Sequence, residues 1–202
     1  MNTAHSNLAT AEVDWGPYYD AILDHPSTLA RLALPRVTRW KRAVDLGSGK
    51  QNDARLMSAM RFEKIDSVDL SAKSEAYAGE LMRASPRGFR FHRQSLSEYD
   101  FGTEPIDWVN SNFALPYDPN FRDIIERIRR KLCYGGVFSA TFLGPKDEPY
   151  RMHSGFHTVS LEELQRLLAG FGISEVTEHS PTSPFFDGYT KQWHYFRAIC
   201  IK

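Results

Sequence analysis

The sequence predicts a doubly wound α/β domain, a mostly parallel sheet with helices on both faces and an antiparallel hairpin at its end. Three observations carry that prediction. Short apolar, β-branched runs recur along the chain, and helical stretches separate most of them. One run, Arg42–Leu46 (RAVDL), opens directly into the glycine turn GSG. The last two runs are joined by a Pro/Ser/Gly-rich loop with no helix between them, which suits antiparallel pairing.

Residues 1–13 are polar and small and read as a flexible arm, leaving 14–202 as one domain whose first part, 14–40, forms an N-terminal lid. Asp14–Pro35 is aromatic-rich and then helical, with Pro26–Ser27 as a start and Pro35 as a stop. Strands are expected at Ala43–Leu46, Ile65–Leu70, Gly88–Phe91, Ile106–Asn110 and Val137–Phe142. Between the last two, Phe121, Ile124, Ile125, Ile128 and Leu132 repeat at the spacing of one buried helical face, so Pro119–Leu132 is a helix. Its basic tail, Arg127 and Arg129–Lys131, complements the helix dipole. A second helix, Leu161–Ala169, is announced by the capping box Ser160/Glu163 and a Val159/Leu164 staple, with Gly170 closing it. Ile173–Glu178 and Gln192–Ile201 are the terminal pair of strands.

Composition narrows the function. The chain has 202 residues, 42% apolar and 25% charged, the profile of a folded protein with room for one sizeable core. Lys plus Arg equals Asp plus Glu at 25 each, so there is no basic excess of the kind that phosphate neutralisation requires, and neither nucleic acid nor an anionic membrane is expected as a partner. No apolar run approaches a membrane span and no leader-like segment is seen, which makes a cytoplasmic protein, a monomer or homodimer, the expectation. Cys133 and Cys200 form no ligand-spaced pair, so reduced thiols and no metal are expected.

The chemistry concentrates in Arg42–Gly49. A strand that ends in an acid and runs into Gly-Ser-Gly lets the backbone turn sharply and approach a ligand at the carboxyl edge of the sheet. A dinucleotide fold wants GxGxxG, but the third position here is Asn52, and Asp45 would face a pyrophosphate with like charge. S-adenosylmethionine (AdoMet), carrying an ammonium and a sulfonium, is attracted by the same carboxylate. Asp69 falls about 20 residues beyond the turn, the spacing at which such folds set an acid on a ribose diol.

DLGSG followed by VDLS resembles motifs I and II of class I AdoMet-dependent methyltransferases. The resemblance extends, through DWGPYYDAILDHPSTLARL, DWVNSNFALPY and LGPKDEP…FHTVSLEELQRLL…KQWHYFRAICIK, to small bacterial enzymes similar to tellurite-resistance and thiopurine methyltransferases. It implies a Rossmann-like seven-stranded sheet whose last strand is antiparallel. It also implies that Gly47, Ser48 and Gly49 wrap the methionine end of AdoMet, that Asp45 orients the amino group, and that Asp69 takes the ribose hydroxyls. Leu70 would pack on the adenine, Gln94, Ser95 and Leu96 would hold its edge, Asn112 and Phe113 would border the sulfonium, and Tyr18 and Tyr19 would close over the cofactor. Two positions depart from the family. Gln51 stands where a third glycine is usual, either narrowing the room near the cofactor's carboxylate or binding it, and Gln94–Ser95 replaces the usual acid at the adenine edge.

Methyl transfer from a sulfonium needs alignment and desolvation more than acid or base, and no catalytic triad is visible. Histidines with context as a base are His157 and His194, with His153 a weaker third. Trp15, Tyr150, Phe156, Phe185, Phe186, Tyr189 and Trp193 fall in the segments expected to wall an acceptor pocket, and suit a small aromatic, sulfur or oxyanion acceptor. Two other readings remain: a binding or scaffold domain that kept the fold without catalysis, suggested by Gln51, and a nicotinamide-dependent oxidoreductase, disfavoured by Asn52 and the terminal hairpin. S-adenosylhomocysteine (AdoHcy) is the product the first reading implies.

Overall fold

The computed structural model describes residues 14–84, 88–148, 155–185 and 187–202. Two short helices, α1 (Gly16–Ala21) and α2 (Thr28–Ala33), precede an alternating run: β1 (Arg42–Leu46), α3 (Asn52–Ala59), β2 (Lys64–Asp69), α4 (Ala72–Ala84) and β3 (Phe89–Arg93). Then come β4 (Ile106–Ser111), α5 (Phe121–Lys131), β5 (Leu132–Leu143), α6 (Leu161–Leu168) and β6 (Ile173–His179). The chain ends with β7 (Thr182–Pro184), β8 (Thr190–Gln192) and β9 (Tyr195–Ile201).

The main sheet has seven strands in the order β3-β2-β1-β4-β5-β9-β6. β1 pairs in parallel with both β2 and β4, so the strand order reverses at β1/β4, where doubly wound folds open a crevice at the carboxyl ends of the strands. β9 enters between β5 and β6 and runs antiparallel to both. The expected α/β architecture with its reversed terminal strand is therefore present.

Period-2 alternation sends the two faces of each strand into separate cores. Val44, Leu46, Val109, Phe138 and Phe142 pack with Ile124, Ile128, Leu164 and Leu168, the apolar stripes of α5 and α6. Ala43, Ile65, Trp108 and Val137 face Leu29, Ala33, Met57 and Leu81 from α2, α3 and α4. Capping fixes where helices start. Ser27 Oγ accepts from Ala30 N at 3.0 Å at the start of α2, and Ser160 Oγ accepts from Glu163 N at 3.1 Å at the start of α6. Among the described residues no helix is long and apolar enough to cross a membrane.

Several boundaries differ from expectation for local reasons. Gly88 lies before β3, not in it, at φ +80°, where an added Cβ would run into the Glu63 carbonyl. β5 starts directly after α5, five residues ahead of the expected Val137, and a register shift opposite Ile106/Trp108 absorbs the extra length. Gly170 follows α6 without a left-handed turn. Its missing side chain makes room for Arg129, whose Cδ would lie 2.6 Å from a Cβ there. The expected strand Gln192–Ile201 is broken at Trp193–His194, with β8 pairing β7 in a small separate ribbon. The expected arm 1–13 and residues Tyr150, His153 and Phe186 lie outside the described residues.

Candidate active site

Asp45 is the next-to-last residue of β1 and lies between two parallel neighbours, Ser67 on β2 and Asn110 on β4, at the point where the sheet reverses. Its side chain is 2% exposed. Asn110 Nδ2 donates to Asp45 Oδ1 at 3.0 Å and to Asp53 Oδ2 at 2.9 Å. Ser139 Oγ donates to Asn110 Oδ1 at 2.8 Å, which turns the amide nitrogen toward the two carboxylates. Asp53 in turn accepts from Ser27 N at 2.6 Å and Ser27 Oγ at 2.7 Å, tying α3 to the N-terminal segment. Asp45 Oδ2 has no hydrogen-bond partner among the described residues. Burial and the neighbouring Asp53 hold the Asp45 carboxyl well above the usual carboxylate range. An orphaned oxygen on a buried acid is a costly arrangement that a cationic ligand would relieve.

The turn that follows is built on positive φ, at +71° for Gly47 and +49° for Gly49. A side chain on Gly47 would collide with the Ala114 Cβ, and one on Gly49 would press on the Tyr19 ring, so both glycines serve close approach as well as backbone freedom. Gly49 N donates to Asp69 Oδ2 at 2.8 Å, and Ser71 N donates to Asp69 Oδ1 at 2.8 Å. Tyr19 Oη donates to Asp69 Oδ2 at 3.4 Å. Burial still outweighs these donors and raises the Asp69 carboxyl.

Gln51 is left-handed at φ +66° and wholly buried. Its amide turns into the protein: Nε2 donates to Ser48 Oγ at 2.8 Å and Ser74 Oγ at 2.9 Å, and Oε1 accepts from Ser67 Oγ at 2.5 Å. Both Nε2 protons are thereby spent on protein acceptors.

The remaining residues expected at the site lie on the segments that follow β2, β3 and β4. Leu70 follows β2 with 53% of its surface exposed, an apolar patch at the rim of the crevice. Gln94 and Ser95 are half-buried after β3, while Leu96 is part of the core. Glu98, three residues on, accepts from Ser95 Oγ at 2.7 Å and from Ser95 N at 3.3 Å. Asn112 accepts from Thr141 Oγ1 at 3.0 Å. Phe113 sits at φ +60°, an unusual conformation for a bulky residue and one that concentrates at functional sites. Its ring lies 5.7 Å from Trp193 and 5.2 Å from Tyr195.

The aromatic walls converge. Tyr18 stacks on Phe185 at 6.0 Å and meets Trp15 edge-on, Trp15 meets Tyr117 at 5.1 Å, Tyr117 meets Phe156 at 6.3 Å, and Phe185 meets Trp193 at 5.6 Å. Tyr189 instead donates its hydroxyl to Glu148. Beneath the ring cluster, Lys191 is buried against Asp147 at 2.5 Å and lies 4.0 Å over the Trp193 ring.

The two candidate histidines part company. His194 is buried, and both ring nitrogens are engaged: Nδ1 accepts from Lys146 N at 3.1 Å, which leaves Nε2 to donate to Glu178 Oε1 at 2.8 Å. No lone pair remains to abstract a proton, so the geometry corrects the expectation of a base at His194. His157 is half-buried against Phe121 at 5.9 Å, and its ring makes no hydrogen bond among the described residues. Sequence reasoning missed Asn110, which donates to Asp45, and Asp53, which shares that donor and whose charge raises the Asp45 carboxyl.

Comparison with known proteins matches this geometry. Residues 44–140, from within β1 into β5, match the model of the methyltransferase domain family. The fold is the one that class I AdoMet-dependent methyltransferases share. The chain is 29% identical over 143 residues to trans-aconitate 2-methyltransferase of Variovorax paradoxus (strain S110), covering 68% of this chain and 53% of that one. The chain therefore spans about half the length of this curated relative. Among solved structures, 1,6-didemethyltoxoflavin-N1-methyltransferase of Burkholderia thailandensis superposes with a TM-score of 0.64 at 20% identity, covering 94% of this chain and 79% of that one. TehB of Haemophilus influenzae gives a TM-score of 0.68 at 14% identity over 85% of this chain and 60% of that one. At such identities the likeness is of fold, and the narrower tellurite-resistance and thiopurine branch is not singled out.

Proposed function

We propose that this protein binds AdoMet across Asp45–Gly49 and Asp69 and transfers its methyl group to a small acceptor by in-line displacement. The observation that carries the reading is the buried Asp45 carboxylate, one oxygen unpartnered, beside a glycine turn at the reversal of the sheet. That arrangement attracts an ammonium and repels a pyrophosphate, which favours AdoMet over a nicotinamide dinucleotide. When bound, AdoMet supplies a methyl group already activated on a sulfonium.

The protein's share is binding, orientation and exclusion of water. Asp45 receives the amino group, held in place by Asn110. Gly47, Ser48 and Gly49 line the methionine end, and Asp69 accepts from the ribose hydroxyls. Leu70 covers one face of the adenine while Gln94, Ser95 and Leu96 border its edge. Asn112 and Phe113 lie on the sulfonium side, with Tyr18 and Tyr19 closing from the N-terminal segment. The rings of Trp15, Tyr117, Phe156, Phe185 and Trp193 wall the acceptor, which suits a flat or apolar small molecule. His157 is the group placed to take a proton from an acceptor that must lose one, and His194 positions the loop after β5. Relatives named for trans-aconitate and for 1,6-didemethyltoxoflavin support a small acceptor.

Calorimetric titration with AdoMet, AdoHcy and NAD(H) tests the reading. Micromolar binding of the two sulfur ligands and none of NAD(H) is expected. Failure of both sulfur ligands to bind the folded protein would overturn it.

A further inference from the structure

We infer that Gln51 is a positioning residue that turns the Ser48 hydroxyl into a fixed donor for the carboxylate of the cofactor's methionine moiety. The inference rests on the AdoMet reading above and goes beyond it, since Gln51 replaces the residue usual at that position. Three features support it. Gln51 occupies a left-handed conformation that is unfavourable for a residue with a Cβ, where glycine would be at ease. In return its buried amide joins three elements, reaching Ser48 in the turn, Ser67 on β2 and Ser74 on α4.

The direction of these bonds matters most. The end of the amide facing Ser48 also lies 3.4 Å from the Gly49 carbonyl, which can only accept, so that end is the nitrogen. The oxygen end therefore accepts from Ser67 Oγ–H. Ser48 Oγ spends a lone pair accepting from Nε2, and its own proton has no acceptor among the described residues. Ser48 is buried between the two glycines that the reading above sets along the methionine end of the cofactor, so its unspent O–H is the donor available to a carboxylate bound there. A relay runs from Ser67 through Gln51 to Ser48, and each member fixes the next.

The test compares AdoHcy with 5′-methylthioadenosine, which keeps the adenosine and thioether but lacks the amino-acid end. Binding of both is measured by calorimetry for the wild type, Ser48→Ala, Gln51→Glu, Gln51→Gly and the double variant Ser48→Ala/Gln51→Glu. In Gln51→Glu the carboxylate only accepts, so Ser48 turns its proton inward. Loss of a hydrogen bond to a charged group predicts roughly tenfold or greater weakening of AdoHcy for each single variant. Methylthioadenosine affinity should stay within about twofold, and the double variant should lose no more than the worse single one. Equal loss of both ligands would make Gln51 a merely structural residue of the turn and overturn the inference. So would unchanged AdoHcy binding in Ser48→Ala, a result that stands even where the Gln51 variants fail to fold. If the wild type binds neither ligand, the AdoMet reading itself falls. If the wild type binds AdoHcy and the variants match it, only the role of Gln51 does.

Discussion

Replacing Asp45 by asparagine separates what this residue does for the fold from what it does for the cofactor. The change keeps the shape and the Oδ1 acceptor for Asn110 but removes the charge. In the folded protein that charge is buried, carries an orphaned oxygen and sits beside Asp53. Neutralising it should leave the ligand-free protein unchanged or stabilise it by about 1 kcal/mol, a rise in Tm of about 2–4 °C for a chain of this size. The cofactor's ammonium, however, loses a charge-assisted hydrogen bond of about 1.5–3 kcal/mol, which is roughly 10- to 100-fold in Kd. pH gives a second signature. Because the carboxyl is raised in the folded state, the folded protein binds more protons than the unfolded chain above the ordinary carboxylate range, so stability falls as pH rises through that window. AdoHcy affinity moves the opposite way, rising with pH as Asp45 ionises, and Asp45→Asn removes the Asp45 share of both trends while that of the raised Asp69 stays. Melting curves and calorimetry across the pH range read both. An AdoHcy affinity within twofold of wild type, or a Tm several degrees lower, would refute the assignment.

Asp69→Asn should weaken AdoHcy by about 1–3 kcal/mol in the same calorimeter with little change in Tm, since the amide oxygen can still accept from Gly49 N or Ser71 N. Unaltered affinity would remove Asp69 from the ribose site. At the other end of the sheet, burial acts to raise the Asp66 carboxyl, but hydrogen bonds from His92 and Arg42 and the Arg42 charge bring it to about 2. Its folded value lies below its unfolded one, so it contributes about 2 kcal/mol of stability near neutral pH that is lost as pH falls from about 4 toward 2. Asp66→Asn should lower stability at pH 7 and flatten the acid limb of the denaturation profile, and an unchanged limb would contradict the pairing. Diethyl pyrocarbonate followed by peptide mass spectrometry should modify His157 well ahead of His194, whose two nitrogens are both occupied, and comparable rates would reopen the role of His194.

The sequence made the cofactor turn legible because its parts are local: an acid, two glycines and a second acid at the end of the next strand. The alternation of strand and helix and the reversal at the end were legible for the same reason. Asn110 was not, since a polar residue inside an apolar strand gives no sign of which carboxylate it faces until β1 and β4 are in register. Gln51 stayed open between an obstruction and a ligand to the cofactor's carboxylate because sequence does not say which way a side chain turns. Its partners Ser67 and Ser74 lie 16 and 23 residues away on other elements. α1 is one and a half turns long and β7–β8 only three residues a side, too short to carry a periodic signal. His157 and His194 looked alike in sequence, and only burial and partners tell them apart.

The position of β9 has a consequence for how the chain is made. β6 touches the main sheet through β9 alone, yet β6 leaves the ribosome first. Until β9 arrives, β5 and β6 each present an open strand edge, a template for pairing with other chains. The sheet cannot be completed from either side by adding strands in order, and the final strand must wedge between two already synthesised. Such long-range closure is slow relative to local pairing and leaves the nascent domain exposed to misassociation until it happens. Slowed translation through residues 180–194 would lengthen that interval, and solubility during expression is where the delay would be felt.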